Sequence, residues 1–323
     1  MRYALRFVPL TLAIGSMLLV VAQPTAAQDR PNRRTFGGHS FIPSSNMGDP
    51  FMGTYIRTTV GAGRAIDMQV PVYDLDGDQI GTLSGNIAFL ALGLAYQQQI
   101  VRWLVLRASF TGSARVGTNH VALLAEGASA VYGGTFGASF RLVEKEKFLL
   151  SALAEARSNS LYAISPLQFV YDVIEGGTVD STTGLLASGD NSRLIGGLRT
   201  AYAFAPWIGV TGIAEFGPAT RFFEDENGER NTSQLSLGST VSIDLRPGTN
   251  VPIGFVGSVF YQSENDRGDD IVGRQILFGL GVFYTGRDDL SLGLETAFQR
   301  FDQRDLENKV NAAQARLVLR YDF

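Results

Sequence analysis

One pattern dominates this chain from about residue 53 onward. Segments of roughly ten residues or more alternate apolar side chains with polar or small ones, strictly two by two. In the last segment Ala313, Ala315, Leu317, Leu319, Tyr321 and Phe323 stand on one parity. Gln314, Arg316, Val318, Arg320 and Asp322 stand on the other. A period of two puts these sets on opposite faces of an extended strand. The segment at 233–246 divides in the same way. Leu235, Leu237, Val241, Ile243 and Leu245 oppose Gln234, Ser236, Thr240, Ser242, Asp244 and Arg246. At 290–299, Leu290, Leu292, Leu294 and Phe298 oppose Ser291, Gly293, Glu295 and Gln299.

Twelve such segments are expected: 53–64, 87–98, 103–115, 129–143, 148–160, 192–204, 208–218, 233–246, 252–263, 271–285, 289–300 and 310–323. Their connections alternate in length. Short ones fall near Ile100, at Glu144 to Lys147, Ala205-Pro206-Trp207, Pro247 to Asn250 and Gly286-Arg287-Asp288. Longer ones fall at 65–86, 116–128, 161–191, 219–232, 264–270 and 301–309. Short turns at one end and long loops at the other predict an all-β, antiparallel, up-and-down transmembrane barrel of about twelve strands. An even strand count returns both ends of the barrel to the short-turn side.

A soluble β-sandwich also reads as alternating strands. Its solvent face, however, carries abundant charge including Lys. Here the polar parity is rich in Gly, Ser, Thr and Gln, and only three of 27 basic residues are Lys (Lys145, Lys147, Lys309). Aromatic residues gather near strand ends (Tyr96, Trp103, Phe140, Phe148, Phe204, Trp207, Tyr284, Tyr321), where the girdles of a membrane barrel belong.

Composition closes off other classes. The chain has no Cys, which excludes disulfide frameworks, thiolate metal sites and Cys nucleophiles. Its two histidines, His39 and His120, are too few for a multi-His metal centre. No metal and no cofactor are expected. A formal net charge of −4 argues against nucleic acid as a partner. No segment has 18 consecutive apolar residues, so no helical span is expected. Residues 1–27 read as a cleaved signal peptide, with Arg2 and Arg6 ahead of an apolar run from Phe7 to Val21 and small residues Thr25-Ala26-Ala27 before the cut.

Residues 28–50 precede the barrel, which is placed at 51–323. They are rich in Gly, Ser, Pro and Asn, as in Gly37-Gly38, Pro43-Ser44-Ser45-Asn46 and Asp49-Pro50, and cannot form a long regular element. Two readings stand: a periplasmic tail, or a plug in the barrel mouth. The apolar Phe36, Phe41, Ile42, Met47 and Phe51 favour packing.

The terminal Leu317-Val318-Leu319-Arg320-Tyr321-Asp322-Phe323 resembles the C-terminal assembly signal of Gram-negative outer-membrane β-barrel proteins. The resemblance implies insertion by the barrel-assembly machinery, with Leu319, Tyr321 and Phe323 as the residues read, and residence in the cell outer membrane among lipids and lipopolysaccharide. The stretch from Phe41 to Phe51 is similar in placement to the luminal hatch of fatty-acid and aromatic-compound transporters, proteins that typically have fourteen strands.

Turning the polar parity inward lines the lumen with Arg57, Arg107, Arg141, Arg157, Arg199, Arg316 and Arg320. The acids on that face are Glu155, Glu215, Asp244, Glu295 and Asp322. The small positive excess predicts modest anion preference, with Arg107 and Arg157 near mid-strand. Internal pairing is the alternative, and Glu155 and Arg157, two apart on one face, invite it. Residues 167–174 carry an amphipathic helical stripe behind Ser165-Pro166, and Asn119 to Glu126 a similar turn. Asp76-Gly77 reads as a hairpin turn. The acidic runs at 224–229 and 264–270 are expected at solvated loop tips, able to bind divalent cations that bridge lipopolysaccharide.

The functional expectation is a channel or transporter for small solutes. A structural or adhesive barrel is the alternative. A hydrolase is disfavoured, because neither His120 nor His39 is set beside a nucleophile motif.

Overall fold

The computed structural model describes residues 34–73, 79–118, 128–164, 186–223, 229–266, 271–303 and 310–323. Twelve antiparallel strands close on themselves. They are β3 (Tyr55–Tyr73), β4 (Gln79–Val101), β5 (Leu104–Gly117), β6 (Ala128–Lys145), β7 (Phe148–Ile164), β8 (Leu186–Ala205), β9 (Ile208–Phe223), β10 (Glu229–Asp244), β11 (Ile253–Asp266), β12 (Ile271–Tyr284), β13 (Leu290–Gln303) and β14 (Val310–Asp322). Each pairs with its neighbours in the chain, and β14 pairs with β3 to close the ring. Ahead of them lies a two-stranded hairpin, β1 (Thr35–Phe36) and β2 (His39–Ser40), outside the barrel sheet. Its two-residue turn, Gly37-Gly38, has φ of 54° and 82°, a conformation that glycine adopts without steric cost. A single helical turn, α1 (Arg246–Thr249), joins β10 to β11.

Parity along the strands assigns the two faces. On β14, Val310, Ala312, Gln314, Val318 and Arg320 are buried while Ala313, Leu317, Leu319 and Tyr321 are exposed. The same split recurs on β10 and β13, in the register the alternation predicts. Exposed side chains form an apolar outer band that includes Val60, Leu90, Leu92, Phe110, Leu194, Phe216, Leu237, Leu280, Leu294 and Leu317. Trp103, Phe140, Phe204, Trp207, Tyr284 and Tyr321 ring the short-turn end. Trp103 stacks on Phe140 with ring centroids 6.3 Å apart. An apolar exterior of this extent is stable only against hydrocarbon. There every backbone N–H and C=O must be bonded within the protein, and a closed sheet meets that condition.

Several strands run past the expected boundaries. Residues 65–73 and 79–86, expected as loop, pair with each other as the outer halves of β3 and β4, with register shifts between Ala65 and Met68 and between Val72 and Tyr73. Strand pairing continues past Pro71, which has no N–H to give the ladder, and Gly85, although the side-chain alternation fades there. The Asp76-Gly77 turn, the stripe at 167–174, the turn from Asn119 to Glu126, His120 and the acidic run at 224–228 lie outside the described residues, as does the segment assigned to the signal peptide. Glu264 departs from its expected place at a solvated tip. It is buried on β11, accepts a hydrogen bond from Thr232 at 2.7 Å and lies 3.6 Å from Arg193. Its parity, shared with Val256 and Ser258, turns it inward.

The face assignment has a direct test. Leu237→Arg on the outer face of β10 should destabilise the folded barrel by about 2–4 kcal/mol near mid-membrane. Ser236→Arg on the inner face should cost far less. Urea titrations of heat-modifiable barrel in lipid vesicles measure both, and equal costs would contradict this register.

Candidate functional site

The interior of the barrel holds a second layer of protein. Residues 34–54 lie against the inner wall toward the short-turn end and contact most of its circumference. On one side Phe41 and Phe51 pack with Leu149, Ala201 and Ala203 from β7 and β8, with Phe36 beside them. On another, Ile42 packs with Val256, Phe283 and Val318 from β11, β12 and β14. Phe41 and Phe51 stand 5.3 Å apart between ring centroids, and His39 meets Phe41 edge-on at 4.6 Å. The wall makes room with residues that lack a side chain. A Cβ at Gly209 would strike Phe41, one at Gly238 would strike Met47, and one at Gly254 would strike Ile42. Gly48 reciprocates from the segment. Its backbone lies so close over the Arg199 guanidinium that a Cβ would strike Cζ.

Polar contacts fix the segment's register. Arg34 donates to the Phe41 carbonyl, to Ser291 Oγ and to the Asp288 carbonyl, and pairs with Asp322 at 3.0 Å. Burial lowers its pKa to about 10, with Asp322 opposing the shift. Asp49 lies between two wall arginines. Its carboxylate accepts from Arg320 Nη1 at 2.5 Å and stands 3.5 Å from Arg107 Nη2, which also donates to the Asp49 carbonyl at 2.6 Å. Burial disfavours the charged carboxylate, but Arg320, Arg107 and Arg57 outweigh it and hold Asp49 below the usual carboxylate range. Gln97 donates to the Phe51 and Gly53 carbonyls at 2.8 and 2.6 Å. Arg320 completes its shell with Asp322 and the face of Tyr55, 3.7 Å from the ring centroid.

Each expected lumen residue can now be placed. Glu155 and Arg157 of β7, Arg199 of β8 and Glu215 of β9 form a closed network. Arg157 reaches Glu155 at 2.7 Å and Glu215 at 2.8 Å; Arg199 reaches Glu215 at 2.8 Å and Glu155 at 3.1 Å. Arg107 approaches Glu155 at 3.8 Å. Arg141 pairs with Glu144 at the short-turn rim. Asp244 caps the Arg246 amide and accepts from Thr285. Glu295 instead accepts from the segment, taking the Ser45 amide at 2.9 Å and the Ser45 hydroxyl. Arg316 donates to Asn46 Oδ1 at 3.0 Å, and Arg57 to the Ser44 carbonyl at 3.4 Å. Among the described residues neither Arg57 nor Arg316 has a carboxylate within 4.0 Å. The pairing of Arg193 with Glu264 escapes the sequence reading, although Arg193 shares parity with Arg199 on β8. An inward apolar cluster of Ala65, Ile87, Val310 and Ala312, flanked by Phe89 and Phe301, escapes it too.

One contact bears on hydrolysis. His39 Nε2 lies 2.8 Å from Ser242 Oγ, a nearness that parity alone does not reveal. Both residues are buried, and the other ring nitrogen faces the Pro206 carbonyl at 3.3 Å instead of a carboxylate. Burial lowers the imidazole pKa against the pull of Pro206 and Asp244. The pair anchors the segment to β10.

No protein-family model matches the chain, and no curated protein matches it. Among solved structures, the translocator domain of the autotransporter NalP from Neisseria meningitidis aligns with 85% of this chain and 91% of that one, at 10% identity and a TM-score of 0.49. The toluene transporter TodX from Pseudomonas putida aligns with 90% of this chain and 96% of its own, at 12% identity and a TM-score of 0.43. An outer-membrane channel from Pseudomonas putida F1 aligns with 88% of this chain and all of its own, at 13% identity and a TM-score of 0.46. Strand order, closure and the apolar exterior of this chain define it as an outer-membrane-type β-barrel.

Two outcomes follow from the seating of residues 34–54. Asp49→Ala leaves Arg320 and Arg107 facing each other without their shared carboxylate, and should weaken the seating by about 3–5 kcal/mol. Protease cleavage within 34–54 in the folded barrel should then rise sharply. His39 is held neutral, so seating is complete above the ordinary imidazole pKa of 6.5 and weakens as pH falls below it. An NMR titration, assigned with His120→Gln, should place His39 below 6.5. A value at or above 6.5 would put the ring in solvent.

Proposed function

We propose that this protein is an outer-membrane channel for small solutes, closed at its periplasmic mouth by residues 34–54. The observation that carries the reading is the content of the lumen. An eight-stranded barrel is filled by its own side chains, whereas twelve strands enclose a wider interior. Here that interior receives a separate chain segment, which runs into β3 at Tyr55 and is held against the wall by non-covalent contacts. A filler that is not part of the wall can leave it. Assembly is proposed to run through the end of β14, where Leu319, Tyr321 and Phe323 lie exposed on the lipid side and Phe323 donates its amide to the Thr54 carbonyl at the closing seam.

The pairing geometry moves the weight of the selectivity proposal. Arg157 and Arg199 are neutralised within the wall by Glu155 and Glu215 and contribute little net field, whereas Arg107 shares Asp49 with Arg320 and loses that carboxylate when the segment leaves. Arg57 and Arg316 outnumber the one carboxylate beside them, Glu295, and a modest anion preference of the open pore is proposed to rest on them together with Arg107. A structural barrel with a permanent plug is the second reading, favoured by the extent of the internal ion pairs.

Planar-bilayer recordings separate the two. Full-length protein should conduct weakly or in bursts, and deletion of residues 28–50 should raise the conductance several-fold. Its reversal potential across a salt gradient should favour anions, and Arg57→Ala with Arg316→Ala should reduce that preference. No conductance in either form would support the structural reading, and a cation-selective pore would remove the arginine proposal.

A further inference from the structure

Glu295 on β13 and Arg316 on β14 are directly opposed in the sheet and share the inner face. Opposite charges so placed ordinarily pair across the strands. Here they do not come within 4.0 Å. Their stems lie over Gly281 and Gly61, positions where a Cβ would collide with each. Each head group is turned to a different atom of the inserted segment. Glu295 takes two donors from Ser45, its amide and its hydroxyl. Arg316 takes the Asn46 side-chain oxygen, and Arg57 takes the Ser44 carbonyl. One carboxylate thus holds N–H and O–H donors while two guanidiniums hold oxygens, all on a stretch of three residues.

We infer that this carboxylate and these two guanidiniums form a solute subsite for zwitterionic amino acids and short peptides, which Ser44-Ser45-Asn46 occupies as a stand-in. The inference rests on the channel reading above. An ammonium or amide N–H of the solute replaces the Ser45 donors on Glu295. Its carboxylate replaces the neutral oxygens on Arg57 and Arg316, and improves on them, because it brings a full opposite charge and two acceptor oxygens that a guanidinium can take bidentately. The stand-in fits imperfectly. Among the described residues, the Asn46 Nδ2 group and the neighbouring Ser258 Oγ, both buried, have no hydrogen-bond partner. A Cβ at Gly279 would meet both, which places them together beside the site. An occupant that leaves buried donors unsatisfied is one that a better ligand displaces.

The absence of Cys from the sequence makes displacement measurable. Met47→Cys places a thiol next to the stretch in question, buried against the wall. Full-length Met47→Cys protein, folded in vesicles, is exposed to a membrane-impermeant maleimide with and without glycylglycine. Saturating glycylglycine should speed labelling about tenfold, equivalent to one charge-assisted hydrogen bond exchanged. Acetate, ethylenediamine and glycerol should each do much less. Glu295→Gln, and separately Arg57→Ala with Arg316→Ala, should raise the basal rate and abolish the effect of glycylglycine. Ser45→Ala leaves the wall intact, and should lower the glycylglycine concentration needed for half the effect. Labelling indifferent to glycylglycine would overturn the subsite, since Glu295 and Arg316 would then simply pair with each other once the segment leaves. An equal response to acetate would overturn the zwitterion assignment. Labelling does not require transport, so a barrel that responds to glycylglycine but never conducts loses the channel reading and keeps the subsite. A barrel that conducts but ignores glycylglycine does the reverse.

Discussion

No backbone edge survives in hydrocarbon. That constraint forces the sheet to close, and β14 against β3 is where it closes. The consequences run inward. Closure with twelve strands leaves a wide interior, and the wall's own inward groups include Arg320 and Arg107, buried cations that need a counter-charge. The protein meets both demands with one device, the segment 34–54. It supplies apolar bulk to the glycine-lined wall and the missing carboxylate, Asp49, to Arg320 and Arg107.

The two halves of the inner charge set behave differently, and the difference organises the functional reading. Around β7, β8 and β9 the wall neutralises its own charge: two glutamates and two arginines pair with one another, although Arg199 Nη1 is left without a hydrogen-bond partner among the described residues. Around β13, β14 and β3 the wall is left incomplete, and the segment supplies what is lacking. On the channel reading proposed above, the incomplete half is the half that becomes available when the segment leaves.

Local periodicity made the outer face legible. Every lipid-facing residue named on β10, β13 and β14 follows from alternation alone, because lipid selects for one property along the whole strand. The inner face was legible as a set of positions but not as a set of partners. Glu155 and Arg157, two apart on one strand, announce their pairing; Asp49 and Arg320, 271 residues apart, do not. Val318 reads as an apolar exception on a polar parity until Ile42 is seen to need it. The outer halves of β3 and β4 were missed because backbone pairing persists where side-chain alternation stops. Glu264 was missed because an acidic run reads as a solvated tip, whereas parity turns that one member inward. Residues 34–54 gave away their composition and left the barrel mouth as one of two destinations, but withheld their partners, since contacts with the far side of a barrel leave no trace in nearby sequence.

The central claim is that occupancy of the lumen by residues 34–54 decides whether the barrel conducts. Met47 and Gly238 offer the means to fix that occupancy, because a Cβ at Gly238 would fall against the Met47 sulfur. In a chain without other cysteines, Met47→Cys with Gly238→Cys can form one bond only, tethering the segment to β10. Recording single barrels before and after reduction compares the same molecule locked and free. The account predicts silence under oxidising conditions and openings that return when the disulfide is reduced. Identical conductance in both states would mean that the segment does not control the pore.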